Sequence, residues 1–416
     1  MNDTPPSGWL NRTVIGAGLT SFFADVGYEL ATSLLPSFLL VLNLSKESAG
    51  LALGVIEAAS DFLSNAAKLV VGWYSDRVGK RKTLVVTGYV LTGTAFALCA
   101  IAVGWPLVLV AKSIAWLGKG IRGPLRNAII TDAVDPAHRG KAFGLHRAGD
   151  TAGAVLGPVL AWVILYQLPA EWFPDPSGPH RAAFWFTLVP GLAAAFTFAF
   201  LVREKRFTPK PGLRLGASLL AMPTAYRRYL VGIAIFGVGD FSHTLLILVA
   251  TSTLTPELGL KSAAEIGLLL YAWRNLVQAI AAFPAGWLGD RFGHLRVLVV
   301  GYAIAALTML GFIAVLATDA GMNGWFGMFG MLGIFMAIQE SLEPAIVPEL
   351  VPYKSLHGTA FGVLAVVNGF GDVVASLVVG TLFATVNETA GLAFAGVLMG
   401  CGAVWMALYG KEKITR

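Results

Sequence analysis

Apolar runs of membrane-crossing length follow one another from Thr13 almost to the C-terminus, and nothing else restricts the fold so strongly. A hydrocarbon core of about 30 Å takes roughly 20 helical residues to cross. Twelve spans of that kind are predicted, at 13–42, 47–74, 83–103, 106–132, 141–166, 181–202, 229–254, 262–288, 296–317, 323–349, 356–385 and 390–410. The runs are continuous rather than alternating with period two, which points to helices that satisfy their own backbone groups and away from a β-barrel. Composition agrees, since 13% of the residues are charged against about 25% in a soluble domain. The first run carries Asp25 and Glu29 and is too long for a signal-peptide core, so it reads as a retained helix.

The net charge of +6 does not mark a nucleic-acid surface, because the basic residues lie in short loops rather than in one patch. Of the 30 lysines and arginines, 20 fall in the two tails and the loops after even-numbered spans, whereas Lys46, Arg181 and Lys261 occupy the opposite loops. The positive-inside rule then puts both termini in the cytoplasm, and the expected location is the bacterial inner (plasma) membrane. Residues 203–228, with Pro209, Pro211 and Pro223, read as a cytoplasmic linker between a six-helix bundle at 1–202 and another at 229–416. Within it, 213–222 is either a short surface helix or plain connecting chain. Cys99 and Cys401 lie inside apolar runs without metal-ligand spacing. No cofactor or metal is expected, and the absence of GxxxxGK[ST], HExxH and GxSxG patterns argues against an enzyme.

The two halves repeat. Gly72-Trp73-Tyr74-Ser75-Asp76-Arg77-Val78-Gly79-Lys80-Arg81-Lys82 returns as Gly286-Trp287-Leu288-Gly289-Asp290-Arg291-Phe292-Gly293-His294-Leu295-Arg296. Arg139-Gly140-Lys141-Ala142-Phe143-Gly144 likewise returns as His357-Gly358-Thr359-Ala360-Phe361-Gly362. Parallel six-helix repeats with a site between them are a transporter architecture. The charged loop resembles the signature of the major facilitator superfamily between its second and third helices. That resemblance implies an all-α polytopic membrane protein of twelve transmembrane helices in two six-helix pseudo-repeats, monomeric, moving a small solute by alternating access. Gly149, Gly153, Gly157 and Pro158 are similar to a glycine-proline motif of exporters that exchange substrate for protons, although read from the residues alone they are a close-packing face. The arginine such antiporters carry in span four has no clean counterpart here, since Lys112 is displaced and Arg122 and Arg126 lie further along.

A charge at mid-membrane costs about 2.5–3.5 kcal/mol, so each one needs a partner, a cavity or a task. Helical spacing puts Asp25 with Glu29, Glu57 with Asp61, Arg122 with Arg126, Asp240 with His243, and Glu340 with Glu343 on shared faces. The candidate substrate and proton-coupling residues are Asp25, Glu29, Asp61, Arg122, Arg126, Arg147, Asp150, Asp240, Arg274, Glu340 and Glu343. Asp76, Arg77, Arg81, Asp290 and Arg291 are expected to gate the transporter. A coupling carboxylate works best without an arginine holding it ionised, which favours Asp25, Glu29, Asp240 or Glu340 over Asp150. Arg122, Arg126, Arg147 and Asp150 serve equally well as a structural ion-pair cluster.

The first functional expectation is proton-coupled efflux of a small organic compound, with the proton as coupling ion and the bilayer as surroundings. Alternatives are an organic or phosphorylated anion held by Arg122, Arg126, Arg147 and Arg274, a divalent metal held by the acidic faces, or a transporter-like membrane sensor.

Overall fold

The structure, a computed structural model, describes residues 8–42, 46–166, 170–173, 175, 177–205, 212, 215–318 and 320–411. Among the described residues all regular structure is helical, in the order α1 (Arg12–Val41), α2 (Lys46–Val78), α3 (Arg81–Ala95), α4 (Trp105–Ala133), α5 (Arg139–Tyr166), α6 (Gly178–Phe186), α7 (Leu188–Leu201), α8 (Leu215–Leu220), α9 (Thr224–Gly237), α10 (Thr244–Phe292), α11 (His294–Thr318), α12 (Gly321–Leu350), α13 (His357–Thr385) and α14 (Glu388–Lys411). A 3-10 segment, Phe96–Ile101, extends α3. Segments long and apolar enough to cross a membrane include Arg81–Ile101, Pro136–Leu165, Gly178–Leu201, His294–Thr318, Gly321–Leu350, Lys354–Phe383 and Glu388–Leu408.

Span boundaries differ from the sequence expectation at three places. The sixth span is two helices, α6 and α7, separated by Thr187 alone. The seventh is broken: α9 stops at Gly237, and a tight turn follows in which Gly239 N–H bonds Phe236 O at 2.8 Å and Asp240 N–H bonds Gly237 O at 3.0 Å. Glycines at 237 and 239 with Asp240 and Ser242 supply turn chemistry that the apolar run conceals. The turn expected at 255–261 is instead helical and α10 runs through it. Glu257, Leu258 and Lys261 are good helix formers, and Pro256 removes one backbone donor. In the connection at 203–228, residues 206–211 and 213–214 lie outside the described residues, and Leu215–Leu220 forms α8.

The chain divides into two compact units: Met1–Pro136, Leu145–Leu220 and Tyr353–Val363 form unit 1, and Ala137–Gly144, Ala221–Pro352 and Leu364–Arg416 form unit 2. Helices α5 and α13 therefore begin in one unit and continue in the other. In unit 1, one core cluster joins Leu30, Leu34 and Phe38 of α1 to Ile56, Phe96, Trp116 and Phe184. A second joins Ala24 to Val85, Tyr89, Leu125, Ile129 and Phe198. In unit 2, Phe236 of α9 stacks on Tyr302 of α11 with centroids 3.6 Å apart, and Phe312 meets Phe329 edge-on at 5.5 Å.

The glycines of α5 are a packing face. A Cβ on Gly149 would lie 2.5 Å from Gly18 O, one on Gly157 would lie 2.8 Å from Leu30 N, and one on Gly153 would overlap Phe22 O. Small residues here let the α1 and α5 backbones meet. Gly153→Ala is therefore expected to destabilise the protein by about 1–3 kcal/mol through overpacking. At Gly327 in α12, where a Cβ meets nothing within 4 Å, Gly→Ala should stabilise the helix by about 0.5–1 kcal/mol. Unfolding midpoints of the two purified variants in one detergent check this, and equal midpoints would contradict the packing assignment.

Candidate functional site

The two repeated loops pair with the two repeated helix starts. In unit 1, the Asp76 carboxylate at the end of α2 accepts from Gly358 N at 3.1 Å, Thr359 N at 2.7 Å and Thr359 Oγ1 at 2.9 Å. These are first-turn donors of α13, which have no partner within their own helix and sit at the positive end of its dipole. Arg81, 1% exposed, ties the arrangement together by donating to Asp76 at 2.8 Å, Asp132 at 3.0 Å and Lys354 O at 2.7 Å. In unit 2, Asp290 accepts from Gly140 N at 2.7 Å and Lys141 N at 2.9 Å, in the first turn of α5.

The glycines of both motifs are explained by the same geometry. Gly79 and Gly293 have φ of 76° and 97°, the left-handed conformation that lets α2 and α10 end. A Cβ on Gly72 would overlap Gly358 O, and one on Gly286 would overlap Gly140 O.

The second copy differs in its bridge. His294 takes the part that Arg81 plays in the first, with Nε2 3.0 Å from Asp290 Oδ1 and Nδ1 2.6 Å from Glu349 Oε1. Both ring nitrogens face carboxylate oxygens, so both carry protons and the ring is an imidazolium. Arg77 and Arg291 stand outside these networks, 5.7 Å and 5.5 Å over the Trp73 and Trp287 rings.

Inside the spans of unit 1 the charges form two groups. The first joins α1, α4 and α5. Arg122 lies 3.8 Å from Asp25 and 4.5 Å over the Tyr89 ring. Arg126 donates to Ser21 Oγ at 3.3 Å. Ser21 Oγ also lies 2.6 Å from His146 Nε2, within hydrogen-bond distance. Arg147 pairs with Asp150 at 2.5 Å, and Glu29 lies one turn beyond Asp25 on α1. The expectation that Asp25 stands apart from any arginine fails, because Arg122 comes to it from another helix.

The second group joins α2 and α4. Lys112 bonds Glu57, and Trp116 Nε1 donates to Asp61 Oδ1 at 2.8 Å. Lys112 and Lys119 lie 4.5 Å and 5.2 Å over the Trp116 ring, and Lys119 lies 4.1 Å over Tyr28. Sequence reasoning did not single out Lys119, Trp116 or Tyr28, yet Lys112, Trp116 and Lys119 share the i, i+4, i+7 spacing that would have put them on one face.

Unit 2 is built differently. Asp240 sits in the break between α9 and α10, accepts from Gln339 Nε2 at 3.0 Å and lies 3.9 Å from His243. His243 Nδ1 is 3.5 Å from Arg274 Nη1, and Arg274 also donates to Asn275. Glu340 accepts from Gln278. Glu343, 3% exposed, accepts from Tyr302 Oη at 2.7 Å and Asn368 Nδ2 at 2.6 Å, while Tyr229 donates to its main-chain carbonyl at 3.0 Å. The donors on this carboxylate are neutral. Its tyrosine and amide partners come from separate helices, so no sequence spacing announces them. Among the described residues no group of three or more His, Cys, Asp or Glu is placed to hold a metal ion.

The model of the Major Facilitator Superfamily matches residues 17–261 and 230–415. An uncharacterised MFS-type transporter of Methanocaldococcus jannaschii is 29% identical over 374 residues, covering 90% of this chain and 89% of the relative. The multidrug resistance protein MdtG of Dickeya zeae is 25% identical over 385 residues, covering 90% and 87%. Among solved structures, the human organic anion transporter MFSD10 superposes with a TM-score of 0.74 at 15% identity, covering 95% of this chain and 99% of that one.

The bridge through His294 yields a test. His294→Leu leaves Asp290 and Glu349 without their shared donor and is expected to cost about 3 kcal/mol, the order seen when one member of a buried ion pair is removed. His294→Arg should retain most of the stability. Thermal unfolding midpoints of purified protein decide it: a leucine variant as stable as the parent would show that the bridge contributes nothing.

Proposed function

This chain belongs to the major facilitator superfamily, an integral membrane family of transporters rather than enzymes, and from that premise we propose that it couples proton entry to the export of a small organic compound by alternating access. The observation that carries the coupling is Glu343. Its carboxylate is buried, and its oxygens meet a tyrosine hydroxyl and an asparagine amide, so a proton can join or leave without an ion pair having to break. Asp240, held by Gln339 in the break of the seventh span, offers a second such carboxylate close to the same helix, α12. Asp150, clamped by Arg147, suits a fixed structural role instead. Broken spans are where transporter folds keep their ion and substrate sites, since open backbone groups are tolerated only beside a cavity or protein partner.

The likeness to a multidrug resistance protein supports outward movement and a small organic cargo. Asp76 and Asp290 act as gates. Each anchors a helix start through backbone donors, contacts that must be exchanged when the transporter changes face. Both termini are cytoplasmic in this reading, the membrane is the bacterial inner membrane, and one chain suffices.

In liposomes with a trapped pH dye, the parent protein is expected to move protons when members of a panel of aromatic amines, alcohols and carboxylic acids are added against an imposed pH gradient. Glu343→Gln should abolish gradient-driven transport while leaving solute exchange at equal pH intact. Transport that ignores the pH gradient and survives both Glu343→Gln and Asp240→Asn overturns the proposal.

A further inference from the structure

The first charge group of unit 1 is not closed upon itself. Arg122 is 2% exposed, yet its Nε and Nη1 have no hydrogen-bond partner. Its remaining nitrogen, Nη2, faces Asp25 only at 3.8 Å, beyond hydrogen-bond length. Arg126 Nε is also buried without a partner, and its Nη1 bond to Ser21 is long at 3.3 Å. A buried donor left unmet costs about 1–3 kcal/mol, more when charged. Two neighbouring guanidinium groups with three such nitrogens are therefore either strained without purpose or waiting for an acceptor.

The nearby carboxylates do not meet these nitrogens, since Asp150 pairs with Arg147 at 2.5 Å and Asp25 stands 3.8 Å from Arg122. The cations are held from the other side by aromatic faces, Tyr89 under Arg122 and Tyr28 under Lys119.

We propose that Arg122 and Arg126 receive the carboxylate of a small organic acid, which makes the transported solute an organic acid. This rests on the transport reading above and names its cargo. A carboxylate accepts two parallel N–H bonds from a guanidinium, which meets the nitrogens left open. Asp25, at 3.8 Å, competes with the solute for Arg122, and its protonation would favour loading.

Binding of benzoate, phenylacetate and acetate to purified full-length protein, with benzyl alcohol and benzylammonium as neutral and cationic controls at equal ionic strength, tests this. In the parent protein the acids should raise the unfolding midpoint and the controls should not. Arg122→Gln should weaken acid binding by about tenfold or more, as expected for losing hydrogen bonds between charged groups. Asp25→Asn, which removes the competitor, should strengthen it. A merely structural role would weaken both variants or neither. If Arg122→Gln fails to fold, the direction of change in Asp25→Asn still decides. No acid-dependent shift in the parent, which would mean that water meets these donors, overturns the proposal, as does an equal shift with either control or unchanged affinity in Asp25→Asn. Because the readout is binding, its failure leaves gradient-driven transport standing. Loss of gradient-driven transport with acid binding intact removes only the coupling.

Discussion

An ionised side chain inside a hydrocarbon layer must find a partner, and the architecture of this transporter is largely an answer to that demand. Each chain segment that carries such a charge is committed to lie beside the segment that satisfies it. Arg81 fixes the end of α2, the end of α4 and the approach to α13 through three bonds. Beyond their side-chain partners, Asp76 and Asp290 engage backbone donors of a helix start, so part of their hold is on the helix end as such and not on a particular residue type. Close glycine contacts then become obligatory, because a carboxylate reaches those backbone groups only if the two backbones nearly touch.

The repeated halves have kept this frame while diverging in chemistry. Arg81 cannot lose its charge, whereas His294, holding the corresponding pair of carboxylates, can. Inside the spans, unit 1 answers its acids with lysine and arginine, and unit 2 answers Glu343 and Asp240 chiefly with neutral donors. A cation-rich unit suits holding a charged solute, and a unit of carboxylates with neutral partners suits a mobile proton. In the proposed function the two tasks of coupled transport fall to groups that do not compete for the same bonds.

Much of this was legible in the sequence, for physical reasons. Lipid forces continuous apolar runs, so the helical membrane fold followed from them, and the paired recurrences around Asp76 and Gly358 and around Asp290 and Gly140 exposed the repeat. Intrahelical faces were legible too, because spacing alone determines them. What spacing cannot carry is which faces meet. The approach of Arg122 to Asp25, the donors on Glu343 and the stacking of two lysines on Trp116 all depend on helix packing. The break at Asp240 was hidden for another reason: Gly237, Val238, Gly239 and Phe241 keep the run apolar while allowing the backbone to turn.

Helices α5 and α13 each start in one unit and finish in the other. Covalent connectivity and packing therefore divide the molecule along different lines. A chain severed within residues 206–214 would yield two fragments, each lacking a piece of its own unit and carrying a piece of its neighbour's. Residues 137–144 would remain with the first fragment although they pack with the second, and residues 353–363 the reverse. Unit 1 is complete only once residues 353–363, where the eleventh span begins, have been made.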